Sequence, residues 1–489
     1  EAAAEGGEGA TNGTKFGPIM TKLSCLARDH EMVLVANMDD HQPCATRPDI
    51  PCPKTGHLNY NTQVAFSDQG EFLERYYKEH LFDENMNKGE SHFHTYPLDQ
   101  DPRWFDTHFG VRFGMHVCFD IMFRTPGAAL AMDPNLNITD FVFSTHWETP
   151  GPPMLTATAT QQGWSKAVGV NLIASDAGEG WHTGGSGIFS NGRILAQHYE
   201  PDMPASEALL IAQVPHITAP TPNIVTAAHS ERIKATSDHM PSKESALEQV
   251  VGPRHGSLLD AVHIKDANSI PQSQQQQQQQ QARFGWAPGQ VAFFDMLSVI
   301  REMANTSAGS SGSAPSAART SHQVQAHHKG FECVVNFELS LAQSRDAATS
   351  SPGDADADAD VYALVAQADE WYGGVLPSRS CVFIRCPDGT PASCHNVANA
   401  TEPYTPDTAF YSTPEDLRAF SQFKHFEMEG GFEEGDLVMA VLASDRGRLF
   451  NDRSYSVSGG KLVLDEDENA AAQPILNAML IANTGEGPI

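Results

Sequence analysis

The stretch Gly114-Met-His-Val-Cys-Phe-Asp-Ile121 decides how this chain reads. Val111–Phe119 is an apolar run of strand length. Asp120–Met132, which follows, has helix-compatible spacing, with Pro126 placed near a first turn. A strand that hands a cysteine to the start of a helix sets Cys118 where backbone amides favour a thiolate and donate to an oxyanion. Asp120 is placed to cap that helix. The complement lies upstream in Tyr76-Tyr-Lys-Glu-His-Leu-Phe82, whose Lys78 is the kind of group that holds negative charge on a tetrahedral intermediate. Spacing by itself does not bring Lys78 to Cys118, and a cysteine after a strand is ordinarily a small buried hydrophobe. Cys25, on the apolar helix face Leu23-Ser-Cys-Leu-Ala27, has that plainer reading.

Working outward, residues 15 to about 215 alternate between strand and helix patterns. Met32-Val-Leu-Val-Ala-Asn37 reads as a buried strand. Thr62–Phe66 and Glu71–Tyr76, split by Asp68-Gln-Gly70, read as a hairpin. Asp140–Ser144 is a strand, Thr156–Val168 has helical spacing, and Val170–Ser175 is the next strand. Gly187–Phe189, Arg193–Ala196 and Ala208–Ala212 complete a β-rich end. Such alternation predicts an α/β layered fold.

The pattern weakens beyond residue 216. A glutamine tract ends at Gln281, Ser307–Ser321 is rich in Ser, Ala and Gly, and Asp354–Asp360 alternates Asp with Ala. These read as solvated insertions that cannot bury apolar surface. The Asp repeat lacks the Gly and closing Glu of a calcium loop. Short β-like runs return at Val291–Phe294, Tyr362–Ala366, Cys381–Ile384 and Leu437–Leu442. The predicted organisation is a low-complexity start (1–14), a first domain (15–230), a linker with the glutamine tract (231–284) and a β-rich second domain (285–489) with insertions at 307–330 and 344–360.

The formal charge is −30, from 31 basic and 61 acidic residues. That balance argues against nucleic acid, which demands clustered Lys and Arg. No apolar run approaches the roughly 18–20 residues of a membrane span. The 8 cysteines include Cys44 and Cys52 around a Pro-rich turn, and Cys381, Cys386 and Cys394 with Cys333 upstream. Local pairs in loop-rich sequence point to disulfides and an oxidising compartment. The sequons at Asn12, Asn137, Asn305 and Asn399 fit the same compartment. The spacing Cys381-x4-Cys386-x7-Cys394-His395 does not repeat a zinc-knuckle interval, so no metal is expected.

Taken in order, the motifs resemble the vanin/biotinidase branch of the nitrilase superfamily. They are Leu23-Ser-Cys-Leu-Ala27, Val35-Ala-Asn37, Tyr60-Asn-Thr62, Arg75-Tyr-Tyr-Lys78 with Leu81-Phe82, Phe105-Asp-Thr107 with Phe109-Gly110, Cys118-Phe-Asp-Ile121 and Gly185-Ser-Gly-Ile188. Weaker matches follow at Phe293-Phe-Asp295, Tyr362-Ala-Leu364 and the Cys381, Cys386 and Cys394 cluster.

The resemblance implies an α-β-β-α sandwich followed by a β-rich domain, and a Glu-Lys-Cys triad that hydrolyses linear carbon–nitrogen amide bonds without a cofactor. Cys118 would be the nucleophile, with Lys78 and the Phe119 backbone N–H holding the oxyanion. A thioester would form and then be hydrolysed. The general-base glutamate of the family would precede the region of Leu23, so the chain is expected to be truncated ahead of it. Glu84 is a candidate second carboxylate. Trp147 and His146 are candidate pocket walls; His116 is not expected to form a dyad with Cys118, and Lys88 and Lys166 read as surface charges. The resemblance also suggests a Cys44–Cys52 bridge and pairing among Cys333, Cys381, Cys386 and Cys394, with the connectivity left open. Pantetheine is the first expected substrate and a biotinyl amide the alternative. An inactive secreted homologue is the reading from another class. The C-terminus carries no small-residue and apolar-tail signal for a glycolipid anchor, so secretion is expected.

Overall fold

A computed structural model describes residues 17–82, 103–147, 157–177, 185–199, 207–228, 291–295, 321–339, 361–371, 376–385, 423–443, 455–465, 475 and 477–483. The first half is four layers. Helix α1 (Pro18–Asp29) starts on Pro18, whose missing N–H costs nothing at a first turn. It lays Met20, Leu23 and Ala27 on Val64 and Phe66. Beneath it, β1 (Leu34–Pro43), β2 (His57–Phe66) and β3 (Phe72–Tyr77) form an antiparallel sheet. The predicted hairpin is β2–β3, turning at Gly70 with φ +76°. An added Cβ there would meet the Ser24 carbonyl at 2.6 Å, so this turn needs glycine on two counts.

The second sheet runs in the order β4 (Trp104–Asp106), β5 (Arg112–Val117), β6 (Asp140–Thr145), β7 (Asn171–Asp176), β8 (Ser186–Ser190) and β9 (Arg193–His198). Only β5, β6 and β7 are parallel, in the register Val117 opposite Ser144 and Ser144 opposite Ser175. Their C-terminal ends therefore open onto one rim. The two sheets face each other over Ala65, Tyr76, Phe105, Met115 and Val117. A polar tie also crosses this layer: Gln63 Nε2 donates to Ser144 Oγ at 2.7 Å.

Two expectations need correcting. Asp120–Met132 is not one helix. Cys118–Met122 is a 3-10 turn, Arg124–Ala128 a wide turn, and only Ala129–Met132, labelled α2, is α-helical. Thr125 is extended (φ −97°, ψ 147°) because the residue before a proline is pushed out of the α region, and Pro126 has no N–H to donate. The second correction concerns Ala208–Ala212, which forms no strand; Leu209 and Ile211 stand exposed.

Helix α3 (Ala157–Val168) covers the outer face of the second sheet, and every residue but Lys166 is buried. Three of its polar side chains are bonded to backbone: Gln161 to the Gly185 carbonyl, Gln162 to that of Gly192, and Ser165 to that of Val170. The far side of α3 is covered by the second half of the chain.

That half is a pair of antiparallel five-stranded sheets. One runs β10 (Val291–Asp295), β13 (Val361–Trp371), β14 (Leu376–Arg385), β19 (Asn477–Asn483), β16 (Val438–Ala443). The other runs β11 (Ser321–His328), β12 (Phe331–Leu339), β15 (Phe423–Gly430), β18 (Lys461–Asp465), β17 (Tyr455–Ser458). Phe337, Tyr362, Phe383 and Phe426 pack between them. A Cys333–Cys381 disulfide joins the sheets, and Cys44–Cys52 closes a loop of the first half. Cys386 and Cys394 lie outside the described residues, as do the glutamine tract and the Asp repeat.

The outer face of the first of these sheets places Val382, Met439, Val441 and Ile481 in the same apolar cluster as Trp164 and Val168 of α3. Gly163 makes this possible, because an added Cβ would lie 2.3 Å from the Ala440 carbonyl oxygen. Lys166, read from sequence as a surface charge, lies over the Tyr455 ring at 4.4 Å across this junction. Asn223 completes it, taking its N–H to the Ala167 carbonyl and its side-chain amide to the Val438 and Gly459 carbonyls.

Candidate active site

Strand β5 ends at Val117, and Cys118 follows with φ +51°. A non-glycine residue in this left-handed region costs on the order of 1–3 kcal/mol, and such residues cluster at functional sites. Local bonds hold the conformation. Asp120 Oδ2 accepts the Val117 N–H at 3.0 Å, pinning the turn from its third position. The Cys118 side chain is half-buried, with Sγ 4.0 Å from the His146 carbonyl oxygen. Phe119 is buried and packs edge-on against Phe82 and Phe123. Since the helix expected after Cys118 is a single short turn, a long helix dipole does not bear on the thiol. The turn's own geometry takes that place.

Lys78 comes directly after β3, its N–H bonded to the Asn61 carbonyl and its side chain 1% exposed. The segments carrying Lys78 and Cys118 meet at Asp120, which is fully buried. Its Oδ2 accepts the Tyr76 hydroxyl at 2.7 Å, and its Oδ1 accepts the His80 N–H at 2.8 Å with His80 Nδ1 at 3.0 Å. The Tyr76 hydroxyl in turn accepts the Glu79 N–H. His80 is stacked on Phe123 at 3.7 Å. Residues 76–80 and 117–123 are thus one bonded unit, although 40 positions separate Lys78 from Cys118.

Burial pushes the Asp120 carboxyl up, but the His80 bond and charge, the Lys78 charge and the Tyr76 hydroxyl outweigh it and leave it below the usual carboxylate range. Glu79 goes the other way. Burial, then the Asp120 charge, push it to about 8 against a weaker bond from Thr125. The two neighbouring acids are therefore split, one ionised and one holding its proton at neutral pH.

On the adjoining strand ends, Trp147 is buried and donates its N–H to Asp176 Oδ1 at 3.2 Å. Burial drives the Asp176 carboxyl to about 8, opposed only by that bond. His146 is exposed. Cys118, His146–Trp147 and Asp176 thus share the rim formed by the ends of β5, β6 and β7. His116 points instead into the core, between Phe141, Phe143 and Trp164, and burial lowers it to about 4. It forms no dyad with Cys118. Glu84 and Lys88 lie outside the described residues, as do Asn12, Asn305 and Asn399; Asn137 is exposed in a turn. No group of metal-ligating side chains occurs among the described residues.

Sequence reasoning passed over Glu79, His80 and Asp176, and saw Asp120 only as a cap. The available signal was the charge-dense Lys78-Glu79-His80 run, unusual at the end of a buried strand.

The carbon-nitrogen hydrolase family model matches residues 2–215, and the vanin C-terminal domain model matches residues 311–483. Pantetheinase of Canis lupus familiaris is 37% identical over 211 residues, which is 42% of this chain and 38% of that protein. Vanin-like protein 1 of Drosophila melanogaster is 37% identical over 212 residues, 42% of this chain and 36% of its own. Biotinidase of Bos taurus is 36% identical over 173 residues, covering 34% and 31%. The matched stretch is well under half the length of each relative. Among solved structures, Saccharomyces cerevisiae Nit3 of the nitrilase superfamily overlaps 37% of this chain and 60% of its own at TM-score 0.30 and 20% identity, too little to argue from. The resemblance to the vanin/biotinidase branch of the nitrilase superfamily holds in both halves of the chain.

Proposed function

We propose, for a chain whose halves match the carbon-nitrogen hydrolase and vanin C-terminal families, that it hydrolyses a linear amide through a thioester on Cys118. The observation that supports this reading is the bonded unit of residues 76–80 and 117–123, which ties the segment of a buried lysine to the turn of a half-buried cysteine held at φ +51°. The Cys118 sulfur attacks the amide carbonyl carbon, and its proton leaves with the amine when the carbon–nitrogen bond breaks. Lys78 and the Phe119 N–H stabilise the oxyanion. Water then cleaves the carbon–sulfur bond, releasing the acid and restoring the thiol. Trp147 walls the acyl pocket.

The preferred substrate is pantetheine, split to pantothenate and cysteamine, because relatives named pantetheinase cover more of this chain than the biotinidase does. A biotinyl amide is the alternative. The two disulfides support an oxidising, extracellular setting, and the exposed sequon at Asn137 is a place for a glycan.

Incubating the protein with pantetheine or with biocytin, quenching in acid and weighing the peptide that contains Cys118 tests this. A pantothenoyl adduct, absent from Cys118→Ala, is expected. Release of cysteamine by Cys118→Ala at the wild-type rate would refute the mechanism, and a biotinyl adduct alone would move the substrate assignment.

A further inference from the structure

One peptide group lies between Asp176 and Cys118. The His146–Trp147 amide presents its N–H to Asp176 Oδ1 at 3.2 Å and its carbonyl oxygen to Cys118 Sγ at 4.0 Å. A trans peptide points these two atoms in opposite directions, so whatever fixes the N–H also aims the carbonyl.

The bond to Asp176 is not a continuation of the sheet. The β6–β7 ladder reaches its end with the Ala177 N–H on the Thr145 carbonyl at 2.9 Å. The next N–H on this edge, that of Trp147, goes to a side chain instead. Asp176 is itself held from its other neighbour, because its own N–H donates to Ser186 Oγ at 3.0 Å at the start of β8. Its carboxyl is therefore a fixed acceptor, carried on a strand, at the point where backbone pairing has run out.

A hydrogen bond made to the neutral form of an acid holds its proton on. A carbonyl oxygen turned onto Sγ thus favours the thiol over the thiolate, and the thiolate is the reactive species. We infer that Asp176 is a positioning residue: by accepting the Trp147 N–H it keeps the His146 carbonyl turned onto Cys118, and so holds the resting nucleophile as a thiol. That Cys118 is a nucleophile rests on the amidase reading; the aim of the carbonyl does not. In the oxidising setting proposed above, a half-buried thiol that keeps its proton is spared disulfide exchange and oxidation.

Alkylation of the native protein by iodoacetamide at pH 7, read by mass spectrometry on the Cys118 and Cys25 peptides, tests this. Cys25, the other free cysteine among the described residues, sits on α1 and reports any general loosening. Burial holds the Asp176 proton on to about pH 8, so at pH 7 Asp176→Asn keeps both the shape and the acceptor. Asp176→Leu keeps the bulk and removes the acceptor. The other titratable groups of the segments about Cys118 are common to all three proteins: Lys78, Glu79 and His80 after β3, Asp120 and Arg124 in the turns that follow Cys118, and His146 at the corner. Relative to Cys25, Cys118 labelling should rise about threefold or more in Asp176→Leu and stay within about twofold of the wild type in Asp176→Asn. Hydrogen exchange resolved to single amides should show the wild-type Trp147 N–H protected about 10-fold or more over an unbonded amide.

A wild-type Trp147 amide that exchanges like a free one overturns the inference, and needs no variant to fold. So does an Asp176→Leu labelling ratio equal to the wild type's, or an Asp176→Asn ratio as high as that of Asp176→Leu. If labelling and exchange follow the expectation while Cys118→Ala retains wild-type turnover of pantetheine, the positioning stands and the amidase reading falls.

Discussion

Gly163→Ala should destabilise the protein even though alanine is the better helix former. The exchange favours a helix interior by up to about 1 kcal/mol. At this position, however, the new Cβ lies 2.3 Å from the Ala440 carbonyl oxygen, 3.2 Å from its carbon and 3.3 Å from Met439 Cγ. A carbon–oxygen contact settles near 3.3 Å, so α3 and β16 must part by roughly 1 Å. The obstacle is the backbone of β16, held in register against β19, so it cannot rotate away as a side chain can. A gap of that size forfeits a quarter to a half of each dispersion contact along the junction, where Trp164, Val168, Met439 and Val441 meet. Overpacking of this kind costs about 1–3 kcal/mol, leaving a net loss of about 1–2 kcal/mol. Thermal unfolding followed by circular dichroism should show Tm lowered by about 2–8 °C. Adding Ala440→Gly should not restore it, since the clash is with the carbonyl. An unchanged or raised Tm in Gly163→Ala would refute the reasoning, because helix propensity would then have outweighed a contact that is not there.

Other perturbations have equally definite signs. Glu79 binds its proton in the folded state to about pH 8 and in the unfolded state only to about 4.5, so its contribution is fully present below pH ~4.5 and is lost as pH rises toward 8. Glu79→Gln should therefore flatten the fall in Tm between pH 5 and 8, and comparing melts at those two pH values checks it. His116 has the opposite sense. Its folded value is about 4 against 6.5, so stability drains as pH falls through that window, and His116→Phe should blunt the acid loss seen in denaturant titrations at pH 4.5. Removing the Cys333–Cys381 bridge, which spans 48 residues, should cost about 4 kcal/mol by chain entropy, against about 2.5 for Cys44–Cys52, which spans 8. Urea midpoints of the two double-serine variants order them.

The parts legible in sequence were those set by local rules. The β2–β3 hairpin declared itself through Asp68-Gln-Gly70, and β5, β6 and β7 through apolar runs bounded by polar turns. The end of β5 at Cys118 was legible for the same reason. The break at Thr125 was in view as a Pro126 that a helix could accept near its start; that it divided the helix depended on where the first turn fell. Tertiary contacts were invisible. Nothing in the spacing of Tyr76, His80 and Asp120 shows that three side chains from two segments share one buried carboxylate. The burial of α3 on both sides did not show in its helical spacing, because its hydrogen-bond partners and its covering sheet come from distant sequence.

That covering has a consequence in time. About 270 residues separate Val168, the last residue of α3, from Val438, the first of the strand that seals it. At ~5–20 residues per second of synthesis, roughly 15–55 s pass between the emergence of the two. During that interval the first half of the chain must wait with Gly163, Trp164 and the foot of Asn223's bridge open to solvent, holding a half-finished surface. The junction that makes the mature molecule one body is thus also the feature that leaves its nascent form most in need of protection.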